Sequence, residues 1–165
     1  MSKKKGNKQQ QQQQDDEDIQ ALASELLPLV KSAVEEGAAK ELMVHLKGID
    51  GVFQLTVIPS SGNEKGKGTW HAIIKGDKVP PQIVEGPTEK KPTVWITLDE
   101  ATLLKLATGK SNPVALFVGG KLKISGNIML AQRLEAAFKR AKGYEKSRPF
   151  VMQFVELHPS LKSKL

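Results

Sequence analysis

Apolar side chains in this chain recur first at three- and four-residue steps, then at every second position, then at three and four again. Leu22, Leu26, Leu27, Val30 and Val34 predict a helix over 19–36, with Pro28 marking its regular start or a kink and Gly37 its end. A shorter helical pattern runs over 38–46 and stops at Gly48. The period then drops to two: Phe53, Leu55 and Val57 alternate with Gln54 and Thr56, the mark of a half-buried strand. The Gly- and Ser-bearing stretch 59–68 predicts a flexible hairpin connection, and Trp70 to Lys75 a returning strand that ends in a Gly76-Asp77 turn. A third strand, Gln82 to Glu85, is hedged by Pro80, Pro81 and Pro87 and suits a sheet edge.

Farther on, Val94, Ile96 and Leu98 share one face of a fourth strand. Asp99 stands where an N-cap belongs, ahead of a helix carrying Leu103, Leu106 and Ala107 and ended by Gly109. Asn112-Pro113 opens a brief turn or helix around Leu116 and Phe117. Leu122 and Ile124 alternate with Lys121, Lys123 and Ser125 in a fifth strand. Gly126-Asn127 then opens the longest helix, whose stripe of Leu130, Leu134 and Phe138 reaches about Lys142. This order predicts an α+β fold: a five-stranded, mostly antiparallel or mixed sheet with about five helices layered on one face.

Charge changes this picture less than its size suggests. The 165 residues carry a formal +7, but segment 1–18 (four lysines, a glutamine run and four acids) is neutral and segment 139–165 holds +5. The body between them is left with +2. Arginine is scarce, and both tryptophans fall inside strands, so the aromatic–arginine surface of a nucleic-acid binder is missing and no nucleic-acid partner is expected. Zero cysteines leave no disulfide, thiolate zinc site or cysteine nucleophile. No apolar run approaches the roughly 18–20 residues of a membrane span. The expectation is a soluble intracellular protein without stable membrane insertion.

Candidate chemistry is equally thin. His45, His71 and His158 lack metal-ligand spacing, and no nucleophile elbow is present. Thr108-Gly109-Lys110-Ser111 resembles the end of a phosphate loop, but Leu104 occupies the first glycine's place and a helix precedes it, so a helix C-cap is the better reading. Glu35-Glu36 and Asp99-Glu100 sit at helix ends, where solvated or capping roles suffice. No catalytic residue, metal ligand or cofactor is nominated.

Two stretches carry a family pattern. One is the strand from Val94 into the Asp99-started helix, then Thr108-Gly109-Lys110-Ser111-Asn112-Pro113. The other is Gly120-Lys121-Leu122-Lys123-Ile124-Ser125-Gly126-Asn127 and its hydrophobic helix. With Gly51 to Val57 and Gly68-Thr69-Trp70-His71, they closely resemble the sterol carrier protein-2 family over roughly residues 25–142. The resemblance implies an apolar tunnel between sheet and helices, and non-catalytic carriage of fatty acyl-CoA, fatty acids, sterols or other lipids. Phe53, Leu55, Val57, Ile96, Leu122 and Ile124 on the sheet are then the candidate lining. Leu103, Leu106, Phe117, Leu130, Leu134 and Phe138 complete it from the helical side. Taken alone, these positions fit a solid core as well as a tunnel wall. One departure stands out: Gly119 replaces a glutamine that many members have two residues before the fifth strand.

The implied organisation is a disordered low-complexity tail over 1–18, a lipid-binding domain over 19–142 and an extension over 143–165. Pro149 to Leu157 in that extension is too apolar to float freely and is expected to dock on the helical layer. The sequence ends Ser163-Lys164-Leu165, a tripeptide read at a C-terminus as a peroxisomal address. The expected partner there is the peroxisomal import receptor, and the expected location the peroxisome. The functional expectation is a peroxisomal lipid carrier. The alternatives are an accessory domain presenting substrates to β-oxidation enzymes, a nucleic-acid-binding module and an unrecognised enzyme.

Overall fold

The computed structural model of the chain describes residues 6–10, 39–58 and 68–157. The helix expected over 19–36, the hairpin connection before Gly68 and the terminal Ser163-Lys164-Leu165 lie outside the described residues. Residues 6–10 form one exposed helical turn. The remaining elements run α1 (Ala39–Met43), β1 (Asp50–Ile58), β2 (Gly68–Lys75), β3 (Gln82–Glu85), β4 (Val94–Asp99), α2 (Glu100–Ala107), α3 (Pro113–Val118), β5 (Leu122–Gly126), α4 (Ile128–Arg140) and α5 (Gly143–Leu157).

The five strands form one mixed sheet in the order β3-β2-β1-β4-β5. β1 and β4 pair in parallel at its centre, and every other pair is antiparallel. Proline-hedged β3 lies at an edge, as its sequence demands. Because side chains alternate across a strand, register assigns each residue to a face. Phe53, Leu55 and Val57 share theirs with Trp70, Ala72 and Ile74 of β2, with Val94, Ile96 and Leu98 of β4, and with Leu122 and Ile124 of β5. α1, α2, α4 and α5 pack on that face. The opposite face carries Gln54, Thr56, Thr97, Lys123 and Ser125, together with half-exposed Trp95 and buried His71, whose Nε2 lies 3.3 Å from Gln54 Oε1.

Short polar side chains set where the helices begin. Asp99 accepts the Thr102 N–H at 2.7 Å, Asn112 that of Val114 at 2.8 Å, and Asn127 that of Leu130 at 3.0 Å. Each supplies a partner for an otherwise orphaned first-turn amide. Gly126 makes the last of these possible. Its φ is 85°, and a Cβ there would stand 2.3 Å from the Thr93 carbonyl, the oxygen that accepts the Asn127 N–H at 2.9 Å. Thr108 closes α2 by donating its hydroxyl to Leu104 O at 2.8 Å, and Lys110 N–H reaches Lys105 O at 2.9 Å. The Thr108–Ser111 segment is therefore a helix C-cap.

Two expectations need correction. Glu100 is not solvated; it is fully buried at the start of α2. The longest described helix is not α4, which stops at Arg140 with Lys142 at φ 54°, but α5, at 15 residues with Pro149 inside it. Interior proline usually breaks a helix at a cost of about 3 kcal/mol. Here Val151, Phe154 and Val155, all beyond the proline, are buried against Val57, Trp70 and Leu104, so core burial outweighs propensity. The apolar extension thus docks, as expected, but as a helix that completes the core. Replacing Phe154 with Ala should lower unfolding free energy by roughly 3–5 kcal/mol, the loss typical of a core aromatic. Urea denaturation checks this, and a detachable strap would lose well under half that amount.

Candidate functional site

Burial across the helical face of the sheet is uneven. Three rows run perpendicular to the strands. In the first, Phe53 and Val94 are 3% and 0% exposed; in the third, Val57, Leu98 and Leu122 are 4%, 2% and 5% exposed. The middle row is Trp70, Leu55, Ile96 and Ile124, paired across β2, β1, β4 and β5; Trp70 is buried, and the other three are part-buried. A close-packed layer buries its centre most deeply. Here the β1, β4 and β5 positions of the middle row are more accessible than their neighbours in the same strands, while Trp70 on β2 is buried.

The helices explain the pattern by gripping the sheet in two places. Leu46 and Ile49 after α1 and Leu130, Ala131 and Ala137 of α4 bury Phe53, Ile74 and Val94. Leu104 of α2 with Val151, Phe154 and Val155 of α5 bury Val57 and Trp70. Between these clusters lie part-buried Leu103, Leu106, Leu134 and Phe138 on the helices and Leu55, Ile96 and Ile124 on the sheet. Apart from Phe138 these side chains are aliphatic, and none of them is charged.

Of the candidate lining residues, Phe53, Val57, Leu122 and Leu130 are buried core. Leu55, Ile96, Leu103, Leu106, Ile124, Leu134 and Phe138 are part-buried beside those clusters. Phe117 is not brought to them: it is 42% exposed on α3, a helix with no buried residue. The Gly119 departure has no backbone reason, since its φ is −74°, an ordinary helical value. Its neighbour Gly120 does need glycine, with φ 73° where Lys121 N–H returns to Leu116 O at 2.9 Å.

A second feature was not legible in the sequence. An open cleft of about 350 Å³ is lined by Thr108, Ser111 and Asn112 after α2, Lys139 at the end of α4, and Glu145 and Arg148 in α5. Its lining residues directly follow Ala107 and Phe138 in the chain, so it adjoins the apolar layer at the C-terminal ends of α2 and α4. Lys139 pairs with Glu135 at 2.9 Å, one turn earlier. Cations, hydroxyl and amide groups together can receive an anion. No sequence window could show this, because three segments up to forty residues apart converge here. Among the described residues, no group of His, Asp and Glu side chains is arranged to hold a metal ion, and no helix is long and apolar enough to cross a membrane.

The chain thus combines a mixed sheet with helices on one face, an apolar layer between them and a polar cleft at one end of that layer. The profile of the SCP-2 sterol transfer family matches residues 30–139, and the chain belongs to that family, whose members bind and transfer lipids. It is 34% identical over 108 residues to sterol carrier protein 2 of Rattus norvegicus, covering 66% of this chain and 19% of that protein. The chain thus spans about a fifth of the length of the curated relatives it matches. Among solved structures, sterol carrier protein 2 from Yarrowia lipolytica, in its apo form, superposes with a TM-score of 0.56 at 22% identity, over 72% of this chain and 91% of that one. The sterol carrier protein domain of Helicoverpa armigera gives 0.54 at 25% identity, over 77% and 91%.

The partial burial of Ile96 has a direct test. Ile96→Phe should fill existing space and change stability by less than about 1 kcal/mol. Val94→Phe, two residues away on the same strand and fully buried, should overpack the core by roughly 1–3 kcal/mol. Equal losses in denaturant titrations would mean that both positions are closed.

Proposed function

We propose that this chain carries single-tailed lipids, fatty acids and fatty acyl-CoA first among them, with the hydrocarbon over Leu55, Ile96 and Ile124, and that it has no catalytic activity of its own. The observation that supports this most is the part-open middle row between two buried clusters. Burying an acyl chain there is worth about 0.8 kcal/mol per methylene, and on the order of 10 kcal/mol for a dozen before ordering costs. Because each further methylene adds so little, discrimination among chain lengths is loose. Aliphatic walls suit such a guest better than a rigid aromatic slot would. Lys139 and Arg148 in the adjoining cleft suit the carboxylate or phosphates of its head.

The location we propose is the peroxisome, reached through Ser163-Lys164-Leu165 and the import receptor that reads such termini. There the carrier would hold acyl substrates for the enzymes that degrade them, whether as a free shuttle or as an accessory to one of those enzymes.

Displacement of a fluorescent fatty acid from the purified protein tests the ligand class. Ile96→Phe should occupy space for about two methylenes and weaken binding roughly tenfold while the protein stays folded. Lys139→Glu with Arg148→Glu should weaken acyl-CoA more than the free fatty acid, and the difference should shrink at high salt. Unchanged affinity in the Ile96 variant would remove the middle row from the site. For the address, a fluorescent fusion ending at Leu165 should collect in peroxisomes and lose that pattern when residues 163–165 are deleted. Retention of the pattern would assign import to another signal.

A further inference from the structure

α3 inverts the usual order of a surface helix. Val114, Phe117 and Val118 lie at the i, i+3, i+4 spacing that normally marks a buried stripe, yet they are 61%, 42% and 79% exposed. Single exposed apolar residues are ordinary, but three on one helical face form a contiguous patch. The helix packs on β5, the edge strand, and buries none of its six residues. The charge around it is one-sided. From Ala101 to Leu134 the chain holds Lys105, Lys110, Lys121, Lys123 and Arg133 and no acidic residue. Lys110, Lys121 and Lys123, which flank α3 in sequence, are all exposed.

From this combination we infer that α3 is a membrane-docking prong, whose apolar face enters the interface of an anionic lipid bilayer while the flanking lysines meet its headgroups. Apolar side chains with exposed cations before and after them in the chain fit that surface on both counts. A second copy of the chain fits it poorly, because a two-fold contact through this patch would set lysine against lysine. Docking is reversible, since a six-residue helix is far too short to span. The inference does not depend on the lipid-carrier reading, because the patch is outside the apolar layer and binds the bilayer itself.

The absence of cysteine makes the test clean. Full-length Val118→Cys, labelled with a solvent-sensitive fluorophore, is mixed with phosphatidylcholine vesicles with or without phosphatidylglycerol. The label should shift to the blue, and be quenched by bilayer-embedded quenchers, only with phosphatidylglycerol present. The same label at Glu85→Cys, on the opposite sheet edge, should not respond. Phe117→Asp should weaken vesicle binding by roughly tenfold or more without changing circular dichroism or melting temperature, since the position is exposed. Lys121→Glu with Lys123→Glu should weaken it comparably and flatten its salt dependence. Three results would overturn the inference. One is vesicle binding with the Val118 label still in water, which would put docking on other cations. Another is no binding to anionic vesicles. The last is a concentration-dependent dimer that Phe117→Asp dissolves, which would make a second copy the occupant.

Discussion

Space can persist beneath a helical layer only if the helices are held off the sheet by contacts on either side of it. In this chain those contacts are two separate apolar clusters. One ties α4 and the turn after α1 to Phe53, Ile74 and Val94; the other ties α2 and α5 to Val57 and Trp70. The parallel pairing of β1 with β4 sets both, because its register places Phe53 beside Val94, Leu55 beside Ile96 and Val57 beside Leu98. A slip of one residue would turn every one of these side chains to the opposite face. The buried flanks and the part-open row between them are thus consequences of one strand register.

Most of the fold could be read from periodicity and punctuation. Period-two alternation located β1, β4 and β5, turn signals bounded β2, and prolines assigned β3 to its edge. Asp99, Asn112 and Asn127 marked helix starts because a cap is a local interaction between near neighbours. What escaped was non-local. Pro149 to Leu157 was legible as an apolar run that must dock, but its helical form depends on burial of Val151, Phe154 and Val155 against residues distant in sequence. Glu100 likewise looked like a solvated first-turn acid, and its burial depends on the whole layer around it.

The candidate site divides along the same line. That Leu55, Ile96 and Ile124 face the helices follows from alternation, but that they are less buried than their neighbours does not. An alternating strand reports which face is apolar and never how closely something packs against it. Phe117 shows the converse error. The family resemblance placed it with the lining, whereas α3 leaves its apolar stripe exposed. The cleft with Lys139 and Arg148 was out of reach because its parts share no sequence window.

Charge placement follows from what each surface has to do. The apolar layer holds hydrocarbon side chains, and a fixed cation inside it would raise the energy of an alkyl guest while gaining no counter-ion. Exposed cations stand outside that layer, among them those of the open cleft and of the acid-free stretch around α3. Both lie outside the two clusters, so substitutions there can alter recognition with little effect on the fold. Phe53, Val57 and Val94 have the opposite character: they hold the layers apart, and a cavity at any of them would loosen the contacts that keep the middle row open. The proposed capacity to hold a lipid thus depends less on the residues that would touch it than on the tightly packed residues beside them.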